Sequence, residues 1–277
     1  LIGSGHIARD LYRKIRNNSM LNLFLVAGRN PESPGIIEAY DFAQNVETEG
    51  INSVVRKNSE IDVVIDCTSA ESHEKHAPIL RDLKLPVVDL TPSGIGKTII
   101  PTINLNECKD NLNINLVSCG GQSSIPILYQ WSLLLKKNKI KLSYVEVAST
   151  ISTKSAGLAT RKNIDSYIQN TEFAISNFCN CSSKVILNIN PAEPPISMKT
   201  SISVLLEKAN SAKLNWFEVT KLVEKELQTY VPGYKVTALP KLIDERRIFT
   251  STTIKGRGDY LPEYSGNLDI ITSSAIV

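Results

Sequence analysis

Cys119 is followed by Gly120, Gly121 and Gln122, stands at the end of an apolar run over residues 114–117, and precedes a helix expected from residue 124 or 126 to about 136. A thiol in that place faces a helix N-terminus. A free cysteine titrates at about 8.5, and the positive end of a helix lowers that toward neutrality, which makes a nucleophilic thiolate. The two glycines bare backbone N–H groups where a developing oxyanion can be held. The competing reading is a buried cysteine in a turn, the commoner fate of this residue type.

A second constellation opens the chain. Gly3-x-Gly5-x-x-Ala8 follows a short apolar run, Leu1-Ile2, and leads into a helical pattern with Ile7, Leu11 and Ile15 on one face. Strand, glycine turn and helix in that order suit a dinucleotide pyrophosphate, with a sharp turn, close backbone approach and an N-terminus that favours the phosphate charge. His6 lies inside the turn. The second strand of such a unit commonly ends in an acid that binds the ribose 2′-OH. Here it ends in Gly28-Arg29-Asn30, where an arginine can accommodate a 2′-phosphate or simply sit in solvent.

Three further segments carry weaker signals: the small-residue loop from Lys154 to Asn163, with Thr160 a possible N-cap; Asn190-Pro191-Ala192-Glu193-Pro194-Pro195, whose acid is a candidate base; and Gly266-Asn267-Leu268-Asp269. His73 and His76 share a helix face at i, i+3 but have no evident third partner, so they read as core or surface residues and not as metal ligands.

The elements that must position these residues follow two rhythms. Through the first hundred residues, apolar runs at 1–2, 23–27, 63–66 and 86–90 alternate with helical patterns, as in βαβ units on a parallel sheet. Each run ends in turn-forming residues, and ligands of open α/β sheets bind beyond the carboxyl ends of strands. After residue 117 the pattern becomes α+β: strands at 142–151, 185–189, 201–205 and near 236, helices at 161–177 and 216–229, and a helical tail over 268–277. The fold class is therefore α/β, a doubly wound Rossmann-type parallel sheet plus an α+β domain, with expected bounds 1–116, 117–259 and a C-terminal segment 260–277 that returns to the first.

The 277 residues carry 31 basic and 28 acidic side chains with no basic run, so an electrostatic footprint for nucleic acid or an anionic membrane is missing. No stretch approaches the roughly 18 apolar residues of a membrane span. The N-terminus shows no secretory pattern; it enters the glycine turn at once, its first strand cut short, which points to a cytoplasmic protein. Five cysteines form neither a disulfide framework nor a zinc set.

Taken together, Ile2-Gly3-Ser4-Gly5-x-Ile7, Asp66-x-Thr68-Ser69-Ala70, Asp89-Leu90-Thr91-Pro92, Cys119-Gly120-Gly121-Gln122, Lys154-Ser155-Ala156-Gly157, Asn190 to Pro195, Tyr230-Val231-Pro232-Gly233-Tyr234 and Tyr260-Leu261-Pro262-x-Tyr264-x-Gly266-Asn267-Leu268-Asp269-Ile270 resemble the acylating acetaldehyde dehydrogenase family over nearly the whole chain. That resemblance implies a two-domain fold of the semialdehyde dehydrogenase type. It also implies a reaction of a short aldehyde, coenzyme A and NAD, with NADP as the alternative, giving acyl-CoA. Cys119 would be the thioester nucleophile. Ser4, Gly5, His6, Ile7, Ser155, Ala156, Gly157, Leu158, Ala159, Thr160, Arg161, Lys162, Asn163 and Asn267 would contact the dinucleotide. The family also implies a homodimer, commonly joined to a 4-hydroxy-2-oxovalerate aldolase.

The chain departs from the family at several of these places. His6 replaces a usual Asn, Arg29-Asn30 a usual Ile-Asp, Leu158-Ala159 a usual Pro-Gly, and Met198-Lys199-Thr200 a usual Met-Arg-Asp, which removes a carboxylate and leaves Glu193 as the motif acid. Two other readings stay open. A phosphorylating semialdehyde dehydrogenase shares the cysteine chemistry but calls for a histidine base, and no histidine follows His76. A degenerate, dinucleotide-binding partner of an aldolase would fit the short start and the missing aspartate, but not the retained Cys-Gly-Gly-Gln.

Overall fold

The computed structural model describes residues 1–208 and 214–277. Its first sheet is parallel throughout. The strands β1 (Leu25–Ala27), β2 (Asn45–Glu47), β3 (Val64–Asp66), β4 (Val87–Asp89), β5 (Lys97–Thr98) and β6 (Asn113–Asn115) pair as β1-β2 and β3-β4-β6-β5. Ile2 joins the two sets, bridging Ala27 on one side and Asp66 on the other in parallel. The resulting order, β2-β1-Ile2-β3-β4-β6-β5, reverses direction at Ile2, and a switch point of this kind leaves a crevice where ligands bind. The apolar runs of the sequence are longer than the strands themselves, because only their central residues pair before each chain turns into a loop. Strand β2 has no apolar run and is not expected from the sequence.

Helices α1 (His6–Arg16), α2 (Pro34–Ala39), α3 (Ile51–Arg56), α4 (Ala70–Asp82) and α5 (Pro101–Asn104) connect these strands. Leu11 and Ile15 of α1 are buried with Ala8, as their spacing requires. Gly3 sits at φ +116°, and a Cβ there would stand 2.9 Å from the Cys67 carbonyl oxygen, so the turn admits glycine alone.

The second sheet is mixed. Strands β7 (Leu142–Ser152), β8 (Ser182–Asn190), β9 (Met198–Leu206), β10 (Tyr234–Leu242) and β11 (Arg247–Ile254) lie in the order β10-β11-β9-β7-β8, and only β7 and β8 run parallel. Helices α6 (Cys119–Lys137), α7 (Leu158–Lys162), α8 (Ile164–Cys179) and α9 (Trp216–Gln228) belong to this half. Its core holds Trp131 of α6 edge-on to Trp216 of α9, ring centroids 5.2 Å apart, with the Trp131 indole N–H donating to Thr220 Oγ1 at 2.9 Å. Truncating so large a buried side chain costs about 3–5 kcal/mol.

Two boundaries differ from expectation. Helix α6 begins at Cys119 itself, several residues early, and the helix expected over 161–177 is divided at Asn163 into α7 and α8. The tail forms α10 (Gly266–Ala275), which packs on both α1 and α6 and so ties the two sheets together. A buried ammonium holds that junction. Lys14 Nζ lies 2.6 Å from Asp269, 2.7 Å from Asp259 and 3.2 Å from Asp10. Among the described residues no helix is long and apolar enough to cross a membrane.

Candidate active site

A cleft of about 850 Å³ runs from the glycine turn to Cys119. Its volume lies within the range of small-molecule and cofactor sites. At one end, Gly5 is the N-cap of α1; no side chain caps that terminus and no acid occupies its first turn. The first-turn N–H groups of a helix have no acceptor within it, so these donors face the cleft uncovered. A Cβ on Gly5 would project into open space. Among the described residues nothing fills the position from which a diphosphate would meet α1.

The glycine turn is held in place by aromatic and ionic contacts. His6 Nδ1 lies 3.1 Å from the Tyr260 hydroxyl, and the Arg9 guanidinium stacks on the Tyr260 ring 4.4 Å from its centroid. Arg9 and Arg13 are ion-paired with Glu38. Burial, and then the charge of Arg9, lower the pKa of His6.

Next along the cleft, Arg29 lies exposed at the end of β1 and makes no ion pair among the described residues. The nearby acids are engaged elsewhere: Glu47 and Glu49 with Arg56, and Glu71 with Lys75 at 2.7 Å. Across the sheet, Asp66 is fully buried. Its Oδ2 is shared by the Nδ1 atoms of His73, at 2.9 Å, and His76, at 2.8 Å, and its Oδ1 accepts from both the backbone and the hydroxyl of Thr68. Burial alone would raise its pKa, but these donors hold the carboxyl well below the usual range. The two histidines are thus structural, fixing the carboxylate that shapes the Thr68-Ser69 turn lining the cleft.

Most of the residues expected to contact a dinucleotide converge here. Ser4, Gly5, His6 and Ile7 line the cleft with Ser155, Gly157, Leu158, Ala159, Thr160, Lys162, Asn163 and Asn267. Two do not. Ala156 is packed in the core, and Arg161 turns back to donate to the Thr153 carbonyl. Thr160 is not the N-cap expected, since α7 starts earlier, at Leu158, with Gly157 in the cap position. Asn267 is buried, and its Oδ1 has no hydrogen-bond partner among the described residues. An orphaned acceptor of this kind, enclosed on a residue that lines the cleft, is matched by an amide donor such as a carboxamide.

Cys119 stands at the far end. Ser118 is the N-cap of α6; its Oγ accepts from Gly121 N–H at 3.0 Å, and its carbonyl accepts from Gln122 N–H. The glycine pair is therefore not free as a pair. Gly121 N–H belongs to the cap, and the N–H groups beside the sulfur are those of Cys119 and Gly120. Gln122 points away from the cleft, bracing the Ile99 and Leu116 carbonyls from a buried position.

The expected lowering of the thiol pKa is not seen. Burial pushes the Cys119 thiol up to about 11, against the pull of Tyr167 and the two backbone N–H groups. Dry surroundings here outweigh the helix N-terminus. Glu193, the candidate base, lies outside the cleft, exposed and paired with Lys154 at 2.8 Å. Thr200 lies in a hydroxyl network with Ser123 and Ser149. Tyr167 of α8 reaches the same end of the cleft and was not anticipated, because its position fits an ordinary core aromatic.

Comparison with known proteins identifies the family and the fold. Residues 119–262 match the family model described as prokaryotic acetaldehyde dehydrogenase, dimerisation. The whole chain is 42% identical to an acetaldehyde dehydrogenase of Pectobacterium atrosepticum, of which it covers 92%, and 40% identical to one of Spirochaeta aurantia, of which it covers 91%. A further relative, from Desulfitobacterium hafniense, is 39% identical and 92% covered. In fold, the chain is similar to aspartate semialdehyde dehydrogenase II of Vibrio cholerae, with a TM-score of 0.59 at 11% identity over 99% of this chain and 94% of that one.

Proposed function

This chain belongs to the acetaldehyde dehydrogenase family, and on that premise we propose that it oxidises acetaldehyde or a short aliphatic aldehyde to acyl-CoA, using coenzyme A and a nicotinamide dinucleotide. The observation that carries the reading is a single cleft joining the uncapped N-terminus of α1 to the Cys119 thiol at the N-terminus of α6.

The residues present fit the dinucleotide. Ser4 to Ile7 would meet its diphosphate, and the unpartnered Asn267 Oδ1 would accept from its carboxamide. The loop from Ser155 to Asn163 would cover it, apart from Ala156 and Arg161. Arg29 would face the adenosine ribose, so the cleft takes a 2′-phosphate as readily as a 2′-hydroxyl. When bound, the nicotinamide supplies the acceptor for the hydride released in the oxidation.

The rest falls to the chain itself. Cys119 Sγ, as the thiolate, adds to the aldehyde carbon, and the new oxyanion lies within reach of the Gly120 N–H. Oxidation leaves a thioester on Cys119, which keeps the acyl group reactive toward a second thiol. Coenzyme A then takes the acyl group and Cys119 is released. With the dinucleotide and aldehyde filling the cleft, little room would be left beside the sulfur for competing water. In this assignment residues 1–116 bind the dinucleotide, 117–259 carry catalysis and the homodimer contact, and 260–277 return to the first domain.

The test follows formation of reduced nicotinamide from acetaldehyde with and without CoA, using NAD and NADP in turn. CoA-dependent turnover supports the reading. Steady turnover without CoA contradicts it, and dinucleotide binding with no turnover favours the degenerate partner.

A further inference from the structure

Cys119 needs a source of thiolate stabilisation. No charged side chain appears among the groups that shift its titration; those that favour the thiolate are the Tyr167 hydroxyl and the N–H groups of Gly120 and Cys119. The hydroxyls nearby are mostly committed. Thr171 donates to the Tyr167 carbonyl at 2.6 Å, so the 2.7 Å contact between Thr171 and Ser118 must use the Ser118 proton. Ser118 Oγ already accepts from Gly121 N–H. Ser123 lies 3.0 Å from the Gly120 carbonyl and 2.8 Å from Thr200, and Ser149 lies 3.1 Å from Thr200.

Tyr167 differs from all of these. The residue is buried, its Oη makes no hydrogen bond among the described residues, and Cys119, Ser149 and Ser118 stand beside it. Gly120 leaves the room it occupies: a Cβ at 120 would come within 2.0 Å of Tyr167 Oη. A buried phenol without a partner is costly, and in a native fold such a group calls for a use. Burial raises its pKa well above the ordinary value, so the hydroxyl keeps its proton and acts as a donor.

We propose that Tyr167 is a catalytic residue whose Oη–H donates a hydrogen bond to the Cys119 thiolate. No proton changes hands in this contact. The thiol proton leaves to solvent through the cleft, and the phenol, together with the Gly120 N–H, holds the anion that remains. The inference rests on Cys119 being the nucleophile, so its test must not depend on turnover.

The variant is Tyr167→Phe, which keeps the ring and removes a hydroxyl that makes no hydrogen bond among the described residues, so its melting temperature should equal or exceed that of the intact protein. Iodoacetamide alkylation is followed site by site by peptide mass spectrometry at about pH 8.5. A hydrogen bond to a charged acceptor corresponds to roughly a 10- to 100-fold change in thiolate content, partly offset by the higher nucleophilicity of a more basic thiolate. Cys119 in Tyr167→Phe should therefore be alkylated about 3- to 10-fold more slowly. Cys108, half-exposed and outside the cleft, reports on any loosening of the fold and should react at the same rate in both proteins. Unchanged or faster alkylation of Cys119, with Cys108 constant, overturns the proposal while leaving Cys119 free to be the nucleophile. Loss of turnover in Cys119→Ala tests that separate premise. Should Tyr167→Phe melt lower, Tyr167→Leu, which removes ring and hydroxyl together, must slow Cys119 at least as much; faster alkylation there also overturns the proposal.

Discussion

Replacing Lys14 by Met removes the ammonium at the centre of the junction between α1 and α10 and leaves Asp10, Asp259 and Asp269 facing one another. Lys14 and Asp269 are almost fully buried, and the ammonium lies within 3.2 Å of all three carboxylates. Burial alone would lower the pKa of Lys14, but Asp10 and Asp269 raise it, so it is charged at neutral pH. Breaking a buried pair by deleting one partner costs about 3–5 kcal/mol. At about 2.1 cal/mol/K of unfolding entropy per residue, this chain should melt about 5–9 °C lower.

The loss should also depend on pH. Burial raises the Asp10 carboxyl, opposed by Lys14 and by the Thr272 hydroxyl. Without Lys14 it rises further above its unfolded value. A raised acid destabilises the fold while it is ionised, and that penalty fades as the pH falls through its folded pKa. The deficit in Lys14→Met should shrink as the pH is lowered from about 7 toward 5. The assay is thermal unfolding by circular dichroism across that window. A drop of less than about 1 °C, or a deficit that grows on acidification, would refute the electrostatic account of the junction.

Other perturbations read the cleft directly. Arg29→Asp should raise the Kd for NADP by roughly 10- to 100-fold while leaving NAD within a few-fold, measured by calorimetry, because a charge-assisted contact to the 2′-phosphate is replaced by repulsion. Asn267→Ala should raise the KM for the dinucleotide about 10-fold and leave the KM for the aldehyde unchanged, since it removes an unpaired acceptor at the cofactor end. In the free protein the Cys119 thiol lies near 11, so its alkylation rate should climb about ten-fold per unit between pH 7 and 10. A plateau by about pH 8 would show that the helix N-terminus outweighs burial after all.

Much of this molecule was legible where local chemistry and tertiary need agree. Gly3 marks a turn whose geometry admits little else, and the βα rhythm around it and Gly5 placed the cleft. The start of α6 was hidden because Gly120 and Gly121 are poor helix formers. Their smallness is required by side chains around them: a Cβ on Gly120 would strike Tyr167 Oη, distant in sequence, and one on Gly121 would strike a methyl of Val117, four residues back. Strand β11 escaped for a different reason. Its inward positions are Ile248, Thr250, Thr252 and Ile254, and threonine on the core face blunts the alternation that reveals a strand. Tyr167 was invisible as chemistry because only the fold brings its hydroxyl to Cys119. The direction of the thiol shift was equally beyond sequence, since it depends on how dry the assembled site is.

The central claim is that the acyl group is carried on Cys119 between aldehyde and coenzyme A. The most direct measurement incubates the protein with acetaldehyde and the dinucleotide, omits CoA, quenches in acid and maps the acetyl group by peptide mass spectrometry. The account predicts one acetyl group on the peptide containing Cys119, absent in Cys119→Ala, and discharged to acetyl-CoA when CoA is added before the quench. Acetyl on another residue, or undiminished turnover in Cys119→Ala, would contradict it.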